Sequence, residues 1–123
     1  MKSIIISRVS TDEQKENSPE AQKFRIETYF NNRKYEIMKR FDFIESAYKL
    51  KRDTFDEIMD FIIETSSKEK IAIGFDKVDR LSRNIFDKRV ARLYELAVSD
   101  KIELHFVSDG QVIDDKMNAG DKF

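Results

Sequence analysis

Residues that could act on a phosphate group accompany three separate apolar runs of the sequence. They are four arginines, a serine, a glutamine and an aspartate: Arg8, Ser10 and Gln14 with the first run, Arg52 after the second, and Asp79, Arg80 and Arg83 after the third. A guanidinium fork matches the oxygens of a phosphate and keeps its charge when it is partly desolvated. Because negative charge builds up on the phosphoryl oxygens in the transition state, several preplaced arginines can stabilise it without a metal.

Other kinds of site find less support. Ser10 has no histidine partner of the kind that a hydrolase triad needs, because the single histidine, His105, falls inside a predicted strand late in the chain. Neither a glycine-rich phosphate loop nor the dinucleotide-binding fingerprint occurs. The lack of cysteine excludes disulfides, thiolate zinc sites, iron–sulfur clusters and cysteine nucleophiles. We therefore expect neither a metal nor a cofactor.

Length, charge and hydropathy limit the number of domains and the classes of partner that we expect. Its 123 residues leave room for one compact domain. Lysine and arginine number 23 against 24 acidic residues, so the formal net charge is -1, a balance that taken alone argues against a nucleic-acid partner. The apolar runs are far shorter than the roughly 20 residues that span a membrane, and the apolar stretch at the N-terminus is too short for a secretory signal. We expect a soluble, cytoplasmic protein.

Strand and helix patterns alternate along the chain. The strand patterns cover Ser3–Val9, Tyr35–Ile44, Ile71–Phe75 and Ile102–Phe106. The first helix is predicted from Ser18 as N-cap and Pro19 to about Arg33, with apolar positions at Ala21, Phe24, Tyr29 and Phe30. The second is predicted after Asp53 as N-cap, with an apolar stripe of Phe55, Ile58, Met59 and Ile62. The third is predicted from about Asn84 to Asp100, with Phe86, Val90, Leu93 and Ala97 at helical spacing. We expect the phenylalanines to lie in the core and His105 to be half exposed.

The order βαβαβαβ predicts an α/β fold. The expected architecture is a three-layer sandwich in which helices cover both faces of a mostly parallel sheet of four to five strands. Ligands of such sheets bind beyond the carboxyl ends of the strands. The loops after the first three strands should therefore bring Ser10 and the arginines to one edge of the sheet.

Two motifs and the start of the first predicted helix resemble a known family. The segment Arg8-Val9-Ser10-Thr11-Asp12-Glu13-Gln14 looks like the signature of the serine recombinases, the resolvase/invertase and large serine integrase superfamily. Ser18-Pro19-Glu20-Ala21-Gln22 resembles the start of that family's first helix, and Asp79-Arg80-Leu81-Ser82-Arg83 resembles its Asp-Arg-Leu-x-Arg motif. Arg52 precedes the second helix as the family's loop arginine does, although the Ser-Gly pair and Arg-Pro step common in that loop are missing.

The resemblance implies a reaction and a role for each residue. Ser10 would attack a phosphodiester of double-stranded DNA and become linked to a 5′-phosphate, releasing a 3′-hydroxyl. Arg8, Arg80 and Arg83 would contact the scissile phosphate together with Arg52, Gln14 would help to position the site, and Asp79 would orient arginines or handle a proton. One phosphodiester is exchanged for another, so the family's reaction needs neither ATP nor a metal.

The resemblance also implies a larger protein. Family members continue into a long helix that forms the dimer and then into a separate DNA-binding region, and Phe123 falls about where that helix would begin. We therefore expect residues 1–123 to be a catalytic domain that is inactive alone, from a protein that acts as a dimer and tetramer on DNA.

Two other functions compete with this hypothesis. A non-catalytic phosphate-binding or regulatory α/β module, such as a receiver-like domain, would need acidic residues after the first strand, where this chain has Arg8 and Ser10. A degenerate recombinase that acts only in assembly is disfavoured because Arg8, Ser10, Arg80 and Arg83 are all present. For Arg52, ordinary solvated charge beside Lys49 and Lys51 remains the alternative.

Overall fold

The computed structural model describes residues 1–9, 18–44, 53–76 and 88–114. Within these ranges strands and helices alternate. The elements are β1 (Lys2–Val9), α1 (Pro19–Asn32), β2 (Glu36–Ile44), α2 (Asp53–Ser66), β3 (Ile71–Phe75), α3 (Lys88–Val98), β4 (Ile102–Phe106), a 3₁₀ turn (Val107–Asp109) and β5 (Gln111–Ile113). The predicted order of strands and helices is confirmed, and β5 adds an element for which the sequence pattern gave no separate signal.

The strands form one five-stranded sheet in the order β2-β1-β3-β4-β5. β1 pairs in parallel with both β2 and β3, and β3 pairs in parallel with β4. β5 is antiparallel to β4, which it follows after a tight turn at Gly110, whose φ of 63° lies in the left-handed region that glycine adopts without strain. The predicted α/β fold with a mostly parallel sheet is confirmed.

The two faces of the sheet carry separate cores because side chains alternate along each strand. On one face Ile4 and Ile6 of β1 pack with Ile58 and Ile62 of α2 and Leu93 of α3. On the other face, within the described residues, α1 packs with Ile26 and Phe30 against Ile5 of β1 and Ala72 of β3. Helices therefore cover both faces of the sheet.

Close contact with the sheet decides which side of α1 is buried. A Cβ atom on Gly74 of β3 would lie 2.6 Å from side-chain atoms of both Ile26 and Phe30. Gln22, Ile26 and Phe30, four residues apart along the helix, are fully buried. At its start, the Ser18 side chain accepts a hydrogen bond of 3.2 Å from the Ala21 N–H, which confirms the predicted N-cap.

The structure corrects the prediction that the phenylalanines are core residues. Phe24 of α1 is 70% exposed. At about 100° of rotation per residue, Phe24 lies roughly 200° around the helix from Ile26, on the side facing away from the sheet. Its apolar type suggested a core position, but the buried stripe passes through Gln22 instead.

The structure also corrects the expected exposure of His105. Its side chain is 1% exposed, whereas a half-exposed strand position was expected from the alternation along β4. Tyr29 of α1 packs against the His105 ring, so this polar residue of β4 is enclosed, while Glu103 on the same face stays partly exposed. Within the described parts of the chain, no helix has the length and apolar character needed to cross a membrane.

Candidate active site at the carboxyl edge of the sheet

Three parallel strands end at the same edge of the sheet. β1 and β2 remain paired to their last residues, Val9 with Ile44. The last pair between β1 and β3 is Ile5 with Gly74, whereas β1 stays paired with β2 for four more residues. The segments that follow these strands, residues 10–17, 45–52 and 77–87, therefore start from one edge, where the sequence predicted a phosphate-binding site.

Most of the predicted site residues belong to those three segments. Arg8 is in β1, where its backbone pairs with Phe43 of β2, and its side chain is outside the described part of the structure. The others also lie outside the described residues: Ser10, Gln14, Arg52, Asp79, Arg80 and Arg83. The structure thus defines the scaffold from which these residues start, and their assignment to the site stays a prediction.

Chain connectivity nevertheless ties the site residues to described elements. Ser10 is bonded directly to Val9, the last residue of the central strand β1, and Arg52 is bonded to Asp53, the first residue of α2. Asp79 comes three residues after Asp76, so its Cα cannot lie more than about 11 Å from that of Asp76. β1, α2 and β3 therefore each limit how far one of these site residues can lie from the edge of the sheet.

A row of polar side chains crosses the sheet just before this edge, on the face that α1 covers. It consists of Asp42 on β2, Ser7 on β1 and Asp76 directly after β3, and we call it the polar row. Ser7 is fully buried, and its hydroxyl donates a hydrogen bond of 2.6 Å to Oδ1 of Asp42, its partner in the β1–β2 register. Extending the Ile5–Gly74 pairing by two residues brings Asp76 level with Ser7.

Asp76 is the most enclosed charge of the polar row. Its side chain is fully buried, and Arg25 of α1 forms a bidentate pair with it, with Nε 2.8 Å from Oδ1 and Nη2 2.7 Å from Oδ2. The Ser108 hydroxyl donates to Oδ1 at 2.6 Å, and the Ser108 N–H donates to the Asp76 carbonyl oxygen at 2.7 Å. The hydrogen bonds to this carboxylate raise the pKa of Arg25, so its guanidinium keeps the charge that balances Asp76.

A second cation of α1 contacts the other side of the row. Nζ of Lys23 lies 3.1 Å from Oδ1 of Asp42. The Asp42 side chain is 47% exposed, so solvent weakens this pair far more than it weakens the pair of Arg25 with the fully buried Asp76. α1 thus places Lys23 and Arg25 on the strands that flank β1.

The polar row and its partners on α1 were not predicted from the sequence. Two signals were present in the sequence: Asp76 directly follows the apolar run Ile71–Phe75, and Arg25 adjoins Ile26 of the buried helix face. A carboxylate immediately after a buried strand needs a partner, because an unpaired buried charge is strongly unfavourable. The sequence does not say which basic residue that partner is.

The buried His105 forms a separate network in the sheet, beside Gly74. Its Nδ1 lies 2.8 Å from the Tyr29 hydroxyl, and its Nε2 lies 2.9 Å from a carboxylate oxygen of Glu103. A neutral ring with its proton on Nε2 satisfies both contacts, because Nε2–H donates to Glu103 and Nδ1 accepts from Tyr29. Burial lowers the pKa of His105, and Glu103 partly opposes this shift.

The described ranges hold no group of three or more histidine, aspartate or glutamate side chains arranged to bind a metal ion. The charged groups of the polar row are instead paired with cations of α1. In the part of the site that the structure describes, carboxylates therefore act as partners for basic side chains.

Comparison with known proteins identifies the family. The family model "Resolvase, N terminal domain" matches residues 3–123, nearly the whole chain. The chain belongs to this family. Resolvase N-terminal domains are catalytic domains of serine recombinases, enzymes that act on DNA, and the family inferred from the two sequence motifs is confirmed.

The fold of this resolvase domain is also found in a solved structure. It is similar to the crystal structure of the N-terminal catalytic domain of TP901-1 integrase, with a TM-score of 0.65. The alignment covers 91% of this chain and 81% of that chain, at 20% sequence identity. At this identity the likeness concerns the fold. A search of the curated proteins finds no match in sequence.

Proposed function

We propose that this chain is the catalytic domain of a site-specific DNA recombinase whose nucleophile is Ser10. The observation that carries the proposal is the parallel β2-β1-β3 arrangement, in which β1 lies between the two other strands and leads directly into Ser10. Residues 45–52 and 77–87, which contain Arg52 and the Asp79–Arg83 motif, start from the strands on either side. Membership of the resolvase family supports the same assignment.

The proposed reaction is an exchange of phosphodiesters. The Ser10 hydroxyl releases its proton and its oxygen forms a bond to phosphorus. The bond from phosphorus to the 3′-oxygen breaks, and the 3′-oxygen takes up a proton. The product is a 5′-phosphoserine linkage and a free 3′-hydroxyl. After strand exchange, a 3′-hydroxyl attacks the phosphoserine, and Ser10 recovers its proton. Arg8, Arg52, Arg80 and Arg83 stabilise the charge on the phosphoryl oxygens, with Gln14 and Asp79 positioning these groups.

Two helix N-termini favour a phosphate at this edge. α1 and α2 both follow the carboxyl end of a strand and lead to the start of the next one, so each helix begins at the edge where β1 and β2 end. The N–H groups and dipole of a helix N-terminus attract anions. This contribution adds to the arginines, and it supports phosphate chemistry at this edge over the opposite one.

The proposal extends to the whole protein through the family resemblance. We propose that residues 1–123 work as the catalytic part of a longer cytoplasmic protein that assembles as a dimer and a tetramer on double-stranded DNA. Regions beyond the catalytic domain would supply most of the affinity for the DNA site, because affinity grows with the number of phosphate contacts.

The test is a covalent adduct between Ser10 and DNA. The protein that carries this domain would be expressed in cells, denatured in SDS and recovered with its attached DNA, and the linked DNA end would be mapped. We expect attachment at a 5′-phosphate, and no adduct with Ser10→Ala, which removes the attacking oxygen while DNA binding persists. Ser99→Ala is the matched control, because Ser99 is exposed and follows α3 at the opposite edge of the sheet. An adduct of normal yield with Ser10→Ala, or attachment at a 3′ end, would contradict the proposal.

A further inference from the structure

We propose that Arg25 and Asp76 form a positioning pair that sets the direction in which the chain leaves β3 toward Asp79, Arg80 and Arg83. This inference rests on the proposed function, since those three residues matter only if they contact the scissile phosphate. Neither Arg25 nor Asp76 is assigned to the site by the sequence motifs. Both act through other residues rather than on DNA itself.

The contacts of Asp76 hold the end of β3 from two directions. Arg25 binds both carboxylate oxygens from α1, and Ser108 binds Oδ1 and the main-chain carbonyl from the 3₁₀ turn after β4. Side chain and backbone of Asp76 are therefore fixed together. A residue held in this way determines where the next residue of the chain begins, and the next segment is 77–87.

The geometry of the pair requires an arginine. Nε and Nη2 of Arg25 reach separate oxygens of Asp76 at 2.8 and 2.7 Å, so the planar guanidinium fixes the orientation of the carboxylate. A lysine in its place would keep the charge but would contact the carboxylate from a single nitrogen with no fixed plane. An Arg25→Lys variant therefore separates orientation from charge.

The pair also connects two segments of the proposed site. α1 begins at Pro19, directly after residues 10–17 and Ser18, and Arg25 lies in the second turn of this helix. The contact with Asp76 thus joins the helix that follows the Ser10 segment to the strand that precedes the Asp79–Arg83 motif. In this proposal the contact adds to the pairing of β1 with β3 in setting how far Ser10 lies from the arginines of the motif.

Asp76 is unsuited to contact DNA directly. It is fully buried, and its carboxylate oxygens accept hydrogen bonds from Arg25 and Ser108. Its contribution to the reaction is therefore the placement of neighbouring residues.

The first test measures the rate of adduct formation at saturating DNA in the protein that carries this domain. For Arg25→Lys and Asp76→Asn we expect the rate per folded molecule to fall at least about tenfold, with DNA affinity nearly unchanged, because a shift of about 1 Å at a reacting group can slow a reaction about a hundredfold. Tyr29→Phe is the matched control: it removes another contact between α1 and the sheet, that with His105, and leaves Arg25 in place. A normal rate in Arg25→Lys, or an equal loss in Tyr29→Phe, would overturn the proposal.

The second test needs no recombination activity. Amide hydrogen exchange of residues 77–87 would be measured in the 123-residue chain without DNA. We expect exchange in this segment to be several-fold faster in Arg25→Gln than in Tyr29→Phe, and exchange in β1 and β2 to be equal in the two variants. Equal exchange of residues 77–87 in both variants would overturn the positioning role. If the wild-type protein formed no Ser10-linked adduct, the proposed function would fail while this measurement still decided the role of the pair.

Discussion

Single side chains carry very different energetic weight in this domain, and burial is the reason. The pair of Arg40 with Glu27 lies at the surface, where solvent leaves such a contact worth less than about 1 kcal/mol. The carboxylate of Asp76 is fully buried, but the Arg25 side chain beside it is 35% exposed. Losing one partner should therefore cost more than at the surface but less than the loss of about 3 to 5 kcal/mol typical of a fully buried pair. The two pairs look alike in sequence, as a basic and an acidic residue far apart in the chain.

The buried His105 should make stability depend on pH. Burial lowers the pKa of His105 below its ordinary value of 6.5, so the unfolded chain binds a proton more readily than the folded one. The stabilising contribution of the neutral ring is complete above pH 6.5 and is lost as the pH falls below that value. We expect the free energy of unfolding, measured in urea, to decrease between about pH 7.5 and pH 5.5.

A variant isolates this effect from other titrating groups. The groups around the ring that influence it are Glu103, Arg33 and Asp114. His105→Gln cannot be protonated, so its free energy of unfolding should change less over the same pH range than that of the wild type. An identical pH dependence in both proteins would show that His105 does not cause it.

At the scale of elements, α1 connects the sheet to the proposed site. Of the three described helices, α1 is the one on this face of the sheet, and its Lys23 and Arg25 contact the strands on both sides of β1. Its sequence is only weakly amphipathic, because polar Gln22 is buried while Phe24 is exposed. Contacts with β1 and β3 therefore determine its orientation more than its own pattern does.

Two phenylalanines of α1 test this orientation. Phe30 is fully buried against the sheet, so Phe30→Ala should lower the free energy of unfolding by about 3 to 5 kcal/mol. Phe24 is 70% exposed, and Phe24→Ala should change it by less than about 0.5 kcal/mol. Urea denaturation of both variants measures the difference. A large loss in Phe24→Ala would mean that α1 presents a different side to the sheet.

For the molecule as a whole, the net charge of the chain is a poor guide to whether it binds nucleic acid. The formal charge of -1 averages all acidic and basic residues of the chain, including the arginines predicted to meet at one edge of the sheet. Membership of a family that acts on DNA corrects the inference, drawn from charge balance alone, that nucleic acid is an improbable partner. A local cluster of arginines can bind a phosphate whatever the average charge of the chain.

The same reasoning predicts how the 123-residue chain binds duplex DNA. With few phosphate contacts and no net positive charge, it should bind weakly, with a Kd of about 1 µM or weaker at physiological salt. Fluorescence anisotropy with a labelled duplex at two salt concentrations measures both the affinity and its salt dependence. Tight, sequence-specific binding by this chain alone would contradict the expectation.

Local patterns in the sequence were enough to predict the alternation of strands and helices and the family. The run from Ser3 to Val9, the Ser18 cap and the Ile71–Phe75 run each involve neighbours along the chain, and short-range periodicity and capping depend on such neighbours. The two motifs around Ser10 and Arg80 are likewise contiguous, so they could be recognised without a structure.

Contacts between distant residues could not be predicted in this way. Arg25 and Asp76 are 51 positions apart, and Tyr29 and His105 are 76 apart. Each pair meets because the parallel sheet places β3 and β4 beneath α1, and no local pattern encodes which side of a weakly amphipathic helix will face them. The reactive residue types and their order are therefore properties of the chain, whereas the burial of His105, the exposure of Phe24 and the pairing of Asp76 arise from packing between elements that are remote in sequence.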